Sequence, residues 1–194
     1  LDGVTSTATE LNILDGVTAT ATEINLLDGV TTVGSGILSS LTENGNTGVR
    51  LSTANASNHG DIGSNAVDLS YQSSTSSTRG ATGVRAVAMG LKTTASGTNS
   101  TAMGNLTTAS GNQTTAMGMG TTASGNYSTA MGYNTTASGD YSTAMGRSTD
   151  ASGMYSTALG YYTEASRDYS TAMGRETTAS GSLSTALGYQ TTAS

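Results

Sequence analysis

From residue 88 onward, small, apolar and polar positions recur on a fixed schedule. The triplet Ala-Met-Gly or Ala-Leu-Gly begins at 88, 102, 116, 130, 144, 158, 172 and 186, always 14 residues apart. Midway between copies stands Thr-Thr-Ala-Ser-Gly or a close variant of it, so each repeat is two seven-residue arms of the form A-x-G-x-x-S/T-S/T. A period this short leaves no room for two helices and predicts one coil of a β-solenoid per repeat. Side chains alternate across a strand, so Ser128 and Ala130 share one face while Thr129 and Met131 share the other. Two arms lying back to back leave little space between them, which turns the small pair inward. In the second arm Thr135 and Ala137 point in, and Thr136 and Ser138 point out. Each Gly, with the two variable residues after it, is expected to make the corner.

The two outer faces therefore differ in chemistry. One carries hydroxyls. The other carries Met89, Met103, Met117, Met131, Met145, Leu159, Met173 and Leu187, which coils stacked at ~4.8 Å would line up as a continuous apolar ridge. A ridge of that length calls for a partner surface, and fully burying one such side chain contributes ~1.5–3 kcal/mol. The alternative, Met filling the interior of a monomeric roll, would put Ser and Ala outside. A narrow interior suits the Ser/Ala pairs better.

The arms Ser-Thr-Ala-Met-Gly and Ser-Thr-Ala-Leu-Gly resemble the Ser-Val-Ala-Ile-Gly arms of the YadA-like head domain of trimeric autotransporter adhesins. The resemblance covers about the last 110 residues. It implies an all-β fold, a left-handed parallel β-roll in a homotrimeric fibre, with the Met/Leu ridge as the trimer interface. Because the same roll serves bacterial adhesins and virus fibres, it implies architecture more narrowly than function.

Residues 1–31 carry a different repeat, Leu-Asp-Gly-Val-Thr at 1, 14 and 27. Thr20 and Glu23 have capping-box spacing and Gly29 suits a helix stop, so short helical turns are predicted here. Thr7, Glu10 and Gly16 repeat the arrangement. Helices this short need packing in a multimer to persist. The phrase Thr-Glu-Leu-Asn-x-Leu-Asp-Gly-Val-Thr resembles repeats of tail fibres of phages and other viruses, especially marine ones, which implies a virion fibre. Residues 32–80 lose the exact repeat and read as a connector or capping module ahead of the roll, which takes up 81–194. In that module Asn44-Gly45 is a hairpin turn signal, Val49 with Leu51 and Val67, Leu69 and Tyr71 alternate as strands, and Ser73–Thr78 reads as loop. The chain opens within one repeat and stops a residue short of the next Gly, the pattern of a segment cut from a longer fibre.

Composition narrows the chemistry. The 194 residues include no Cys, Pro, Trp or Phe, and the net charge is −6 with seven basic residues. Thiol and thiolate-metal chemistry are excluded, and so is a basic patch for nucleic acid or anionic membrane. No apolar run approaches the ~20 residues of a membrane span. His59 with Asp61 is the one place where a Ser-His-Asp arrangement is conceivable, and no nucleophile-elbow motif accompanies it. No catalytic, metal or cofactor site is assigned. Asp150 and Glu164, 14 apart, should be neighbours on the outer face, with Arg167 as neutraliser. Tyr127, Tyr141, Tyr155 and Tyr169 share a corner position and should form a surface column, a platform for a host-surface glycan or protein receptor, or a ladder stiffening the corner. These features together predict an extracellular adhesive fibre segment, of a virion or a cell-surface appendage. A bacterial adhesin head is the first alternative. An ice-binding solenoid, using the rows Thr94/Ser96, Thr108/Ser110 and Thr122/Ser124, is the second.

Overall fold

The computed structural model describes residues 38–194. The helical turns expected in 1–31 lie outside the described residues, as do the first residues of the connector. The chain divides into two units, 1–36 and 37–194, and every described residue belongs to the second.

That unit starts with a hairpin. Strands β1 (Leu38–Glu43) and β2 (Asn46–Leu51) pair antiparallel around Asn44 and Gly45, whose φ of 47° and 80° match the turn that Asn-Gly favours. After a short 3₁₀ turn at Ala56–Asn58, β3 (Val67–Tyr71) lies parallel between β2 and β5 (Val87–Leu91). Val67 pairs with Val87, 20 residues on rather than 14, and the Ser/Thr loop after β3 takes up the excess. The short β4 (Gly80–Ala81) already pairs with Thr94–Ala95 in the 14-residue register.

From there the coils repeat. Long strands Thr101–Asn105, Thr115–Met119, Thr129–Tyr133, Thr143–Arg147, Thr157–Tyr161, Thr171–Arg175 and Thr185–Tyr189 extend an 11-stranded sheet that is parallel after its first pair. Short Thr-Ala strands and their Asp150–Ala151 and Glu164–Ala165 equivalents stack into a 9-stranded sheet behind it. The long strands run one residue past the arm read from the sequence, and the second arm keeps ladder pairing over only two residues. The second arm is cut short because the N–H groups of Ser138 and Gly139 both donate to Ala151 O, at 3.0 and 3.2 Å, turning the chain inward.

The interior follows the alternation. Ala130 and Ala137 are fully buried, as are their equivalents from Ala88 to Ala179, and Ser128 and Thr135 close the space beside them. In the regular coils no side chain larger than threonine is fully buried. The interior therefore removes little apolar area per coil, and most of the order comes from backbone ladders between coils.

The corners differ from expectation. The left-handed backbone falls on the second variable residue, as at Tyr141 (φ 59°) and Ser148 (φ 53°), rather than on glycine alone. Gly139 has a different reason to be glycine: a Cβ there would lie 1.9 Å from Gly153 O in the next coil. In the other arm, Gly132 has φ 126° and would bring a Cβ within 2.0 Å of Gly146 O. Glycine sets how closely coils stack as well as how they bend.

Candidate functional surfaces

Three outward columns cover the long-strand sheet. The first is Thr101, Thr115, Thr129 and their equivalents. The second is the predicted Met/Leu ridge, paired in register from Met89 to Leu187. Leu69 pairs with Met89, so the ridge starts one coil earlier than the triplet repeat suggests; the six-residue excess hid it. On the single chain Met89, Met145, Met173 and Leu187 are exposed, and Met103, Met117, Met131 and Leu159 are half-buried. Their own sheet cannot cover them, because its inner face is occupied by Ala and Ser.

The third column was missed by sequence reading. Tyr133, Arg147, Tyr161, Arg175 and Tyr189 follow the glycine of consecutive coils and pair in register. Each guanidinium lies 5.2–5.6 Å from the ring centroids on both sides. The signal was present as an alternation of Tyr and Arg at a spacing of 14, in a column whose earlier members Leu91, Asn105 and Met119 do not share it.

The predicted tyrosine column forms. Tyr127, Tyr141, Tyr155 and Tyr169 stack at 4.8, 4.8 and 5.1 Å with interplanar angles of 2–11°. Stacking turns the ring faces toward one another, so a partner meets ring edges and phenol hydroxyls. Burial, then the neighbouring Tyr127 and Tyr155, push the Tyr141 phenol up. One residue earlier in the same corner runs a second ladder. Asn112 Oδ1, Asn126 Oδ1 and Asp140 Oδ1 accept from the backbone N–H of Thr98, Asn112 and Asn126, at 3.1, 3.1 and 2.7 Å.

On the opposite sheet Asp150 and Glu164 pair directly, as expected. Burial, then Glu164, push the Asp150 carboxyl above its ordinary value, against a hydrogen bond with Ser152. Arg167 forms no ion pair with either acid, which corrects its reading as neutraliser; the ion pairs among the described residues involve Arg50, His59 and Arg175. Thr94 and Ser96 and their equivalents do face outward in rows, broken at Asp150 and Glu164.

His59 is not paired with Asp61, whose carboxylate accepts from Asn44 instead. The imidazole Nδ1 lies 2.9 Å from Asp68 Oδ2, and Asp68 is wholly buried at the N-terminal end of the roll, in register with the interior Ala88. Arg50 Nε donates to the same oxygen at 3.3 Å, and the guanidinium also grips Glu43. Ser70 Oγ donates to Asp68 Oδ1 at 2.5 Å. Serine and imidazole thus both lean on the carboxylate and not on each other, so the imidazole is not placed to deprotonate the serine. The cluster closes the end of the roll with satisfied charge. His59 belongs to it through non-repetitive loops, which is why sequence spacing paired it with the wrong acid.

Among the described residues no group of three or more His, Asp or Glu is arranged to hold a metal ion, and no helix is long and apolar enough to cross a membrane. A family model described as YadA head domain repeat (2 copies) matches residues 81–107, 95–121, 123–149, 151–177 and 179–194. Comparison with curated proteins returns no match.

Proposed function

The chain belongs to the YadA head-repeat family, and from that premise we propose that it is a segment of a homotrimeric adhesive fibre displayed outside the cell. One observation carries the proposal: an apolar ridge, Met89, Met103, Met117, Met131, Met145, Leu159, Met173 and Leu187, stands outside a sheet whose inner face is already filled. Covering what remains exposed of each side chain contributes about 1 kcal/mol. The cost of association is estimated at ~4–15 kcal/mol, so one or two coils would not hold copies together whereas eight can. The repeats are of the kind found in structural adhesins, and among the described residues His59 and Ser70 both bond Asp68 and not each other.

Within that reading, the tyrosine column Tyr127, Tyr141, Tyr155 and Tyr169 is a second contact row, offering hydroxyls to a host-surface glycan or protein receptor. The N-terminal repeats support a virion tail fibre as the carrier. The head repeats support the alternative, a bacterial autotransporter adhesin head. Antibody labelling of virions against cell envelopes separates the two. The hydroxyl rows of the short-strand sheet favour a second reading, ice binding, which thermal hysteresis in dilute solution tests directly.

Light scattering should give the mass of three copies, and Met131→Glu with Met145→Glu should dissociate them by forcing carboxylates into the contact. A folded wild-type monomer at micromolar concentration would falsify the trimer.

A further inference from the structure

The Tyr/Arg column differs from everything else on this acidic chain. Arg147 stacks 5.5 and 5.4 Å from the ring centroids of Tyr133 and Tyr161, and Arg175 stacks 5.6 and 5.2 Å from those of Tyr161 and Tyr189. Guanidinium groups over rings are positioned by the aromatic faces, and Arg147 has no carboxylate partner among the described residues. Arg147 makes no side-chain hydrogen bond or ion pair among the described residues. Arg175 gives its Nε to Glu176 at 3.1 Å, and its two terminal nitrogens remain. Its side chain is 60% exposed, and a shallow hollow of about 260 Å³ lies against Tyr161 and Arg175.

We propose that this strip binds an acidic polysaccharide carrying about one carboxylate or sulfate per disaccharide. The stacking decides the ligand class. Both faces of Tyr161 are occupied by guanidinium groups, and Tyr133 and Tyr189 each give one face to a guanidinium, so a neutral sugar finds little open ring face within the strip. What the strip presents is N–H forks, which match carboxylate and sulfate oxygens in paired hydrogen bonds, flanked by phenol hydroxyls that donate to or accept from sugar hydroxyls. The spacing decides the charge density. Arg147 and Arg175 stand two coils apart, ~9.6 Å, a distance on the scale of a disaccharide. A nucleic acid strand carries a phosphate about every 3.4 Å, so most of its charges would meet no cation on this strip. The strip lies on one chain, so its chemistry does not require assembly. The strip shares its sheet face with the Met/Leu ridge, two residues along each strand, so in the trimer it must stand at the edge of the contact. The inference rests on the adhesive reading only for that setting, in which several copies side by side would add avidity.

The test uses the full chain on immobilised hyaluronan, which has one carboxylate per disaccharide, with neutral dextran as the control surface. Retention at low salt is expected on hyaluronan and not on dextran, and it should fall steeply toward ~0.5 M salt, where a Debye length of ~4 Å removes the longer-range attraction and weakens what direct contact leaves. The double substitution Arg147→Gln with Arg175→Gln should weaken binding about tenfold or more while leaving the far-UV spectrum unchanged. Tyr161→Leu, which removes the ring between the two guanidinium groups, should weaken it too. Wild-type retention that survives the double substitution, equal retention on dextran, or single-stranded DNA competing as well as free hyaluronan would each overturn the proposal. Light scattering on the same samples reports on assembly separately: a monomer that still binds hyaluronan removes the trimer and keeps the strip.

Discussion

Thr93, Thr107, Thr121, Thr135, Thr149, Thr163 and Thr177 form an inward column whose hydroxyls find no hydrogen-bond partner, although each side chain is buried. A buried hydroxyl left unpaired costs about 1–3 kcal/mol relative to hydration, and valine offers a methyl of the same size. Thr135→Val should therefore raise stability by about 1 kcal/mol, read as a higher melting temperature. In the opposite arm Ser100 and Ser128 Oγ donate to the carbonyls of Gly97 and Gly125 at 2.7 Å, so removing the hydroxyl there should destabilise, whereas Ser142 and Ser156 are unpaired like the threonines. Two carboxylates make opposite pH predictions. Burial pushes Asp68 up, but hydrogen bonds from His59 and Ser70 and the His59 charge outweigh it and hold the carboxyl below its usual value. Its contribution is thus present at neutral pH and is lost as pH falls through the carboxylate range, below about 4. Asp68→Asn should lower the melting temperature at pH 7 and flatten the acid limb of the stability profile. Asp150, pushed up by burial and by Glu164, destabilises the fold at neutral pH and is relieved as pH falls. Asp150→Thr, restoring the residue of the neighbouring coils, should raise the melting temperature at pH 7, with the gain fading as pH falls through the raised folded-state value and gone by about pH 4.

At the scale of the coil, the legible part was whatever repeats. Alternation within Ser128–Gly132 sufficed to place Ala130 inside and Met131 outside, because a two-residue period admits only that choice once the interior is narrow. The 14-residue spacing sufficed to stack Tyr127 on Tyr141. Three things were not legible, each for a physical reason. The role of Gly139 depends on a carbonyl in the next coil, and composition cannot tell a close approach from a turn. The left-handed residues at the corners are Tyr, Asn, Ser, Gln, Leu, Lys and Glu far more often than glycine, which takes that position in the coils only at Gly120, and they are held there by the ladders on either side and not by their own preference. The partnership of His59 with Asp68 is set by loops outside the period. The Tyr/Arg column was legible in principle, since its members share a phase, but its meaning depends on the guanidinium lying over rings in two adjacent coils.

The described unit behaves as a stack in which each coil touches chiefly the one before and the one after, the arrangement in which stability is nearly a sum over repeats and their interfaces. Its N-terminal end cannot show an open alanine column to water, and the Glu43, Arg50, His59, Asp68 and Ser70 cluster closes it there with groups that bond one another. Within the stack, identical coils are interchangeable provided phase is kept. Deleting residues 116–129, one whole coil, joins Thr115 to Ala130 and leaves every later side chain on its original face. The shortened chain should fold, keep its far-UV spectrum and lose about 4.8 Å of length by small-angle scattering. Deleting 116–128 instead moves each later residue by one position, putting Met131 in the interior and Ala130 outside, and should abolish the fold. If both deletions melt alike, the two-arm coil is not the unit of folding, and the outward placement of the ridge, the tyrosine column and the Tyr/Arg strip loses its common cause.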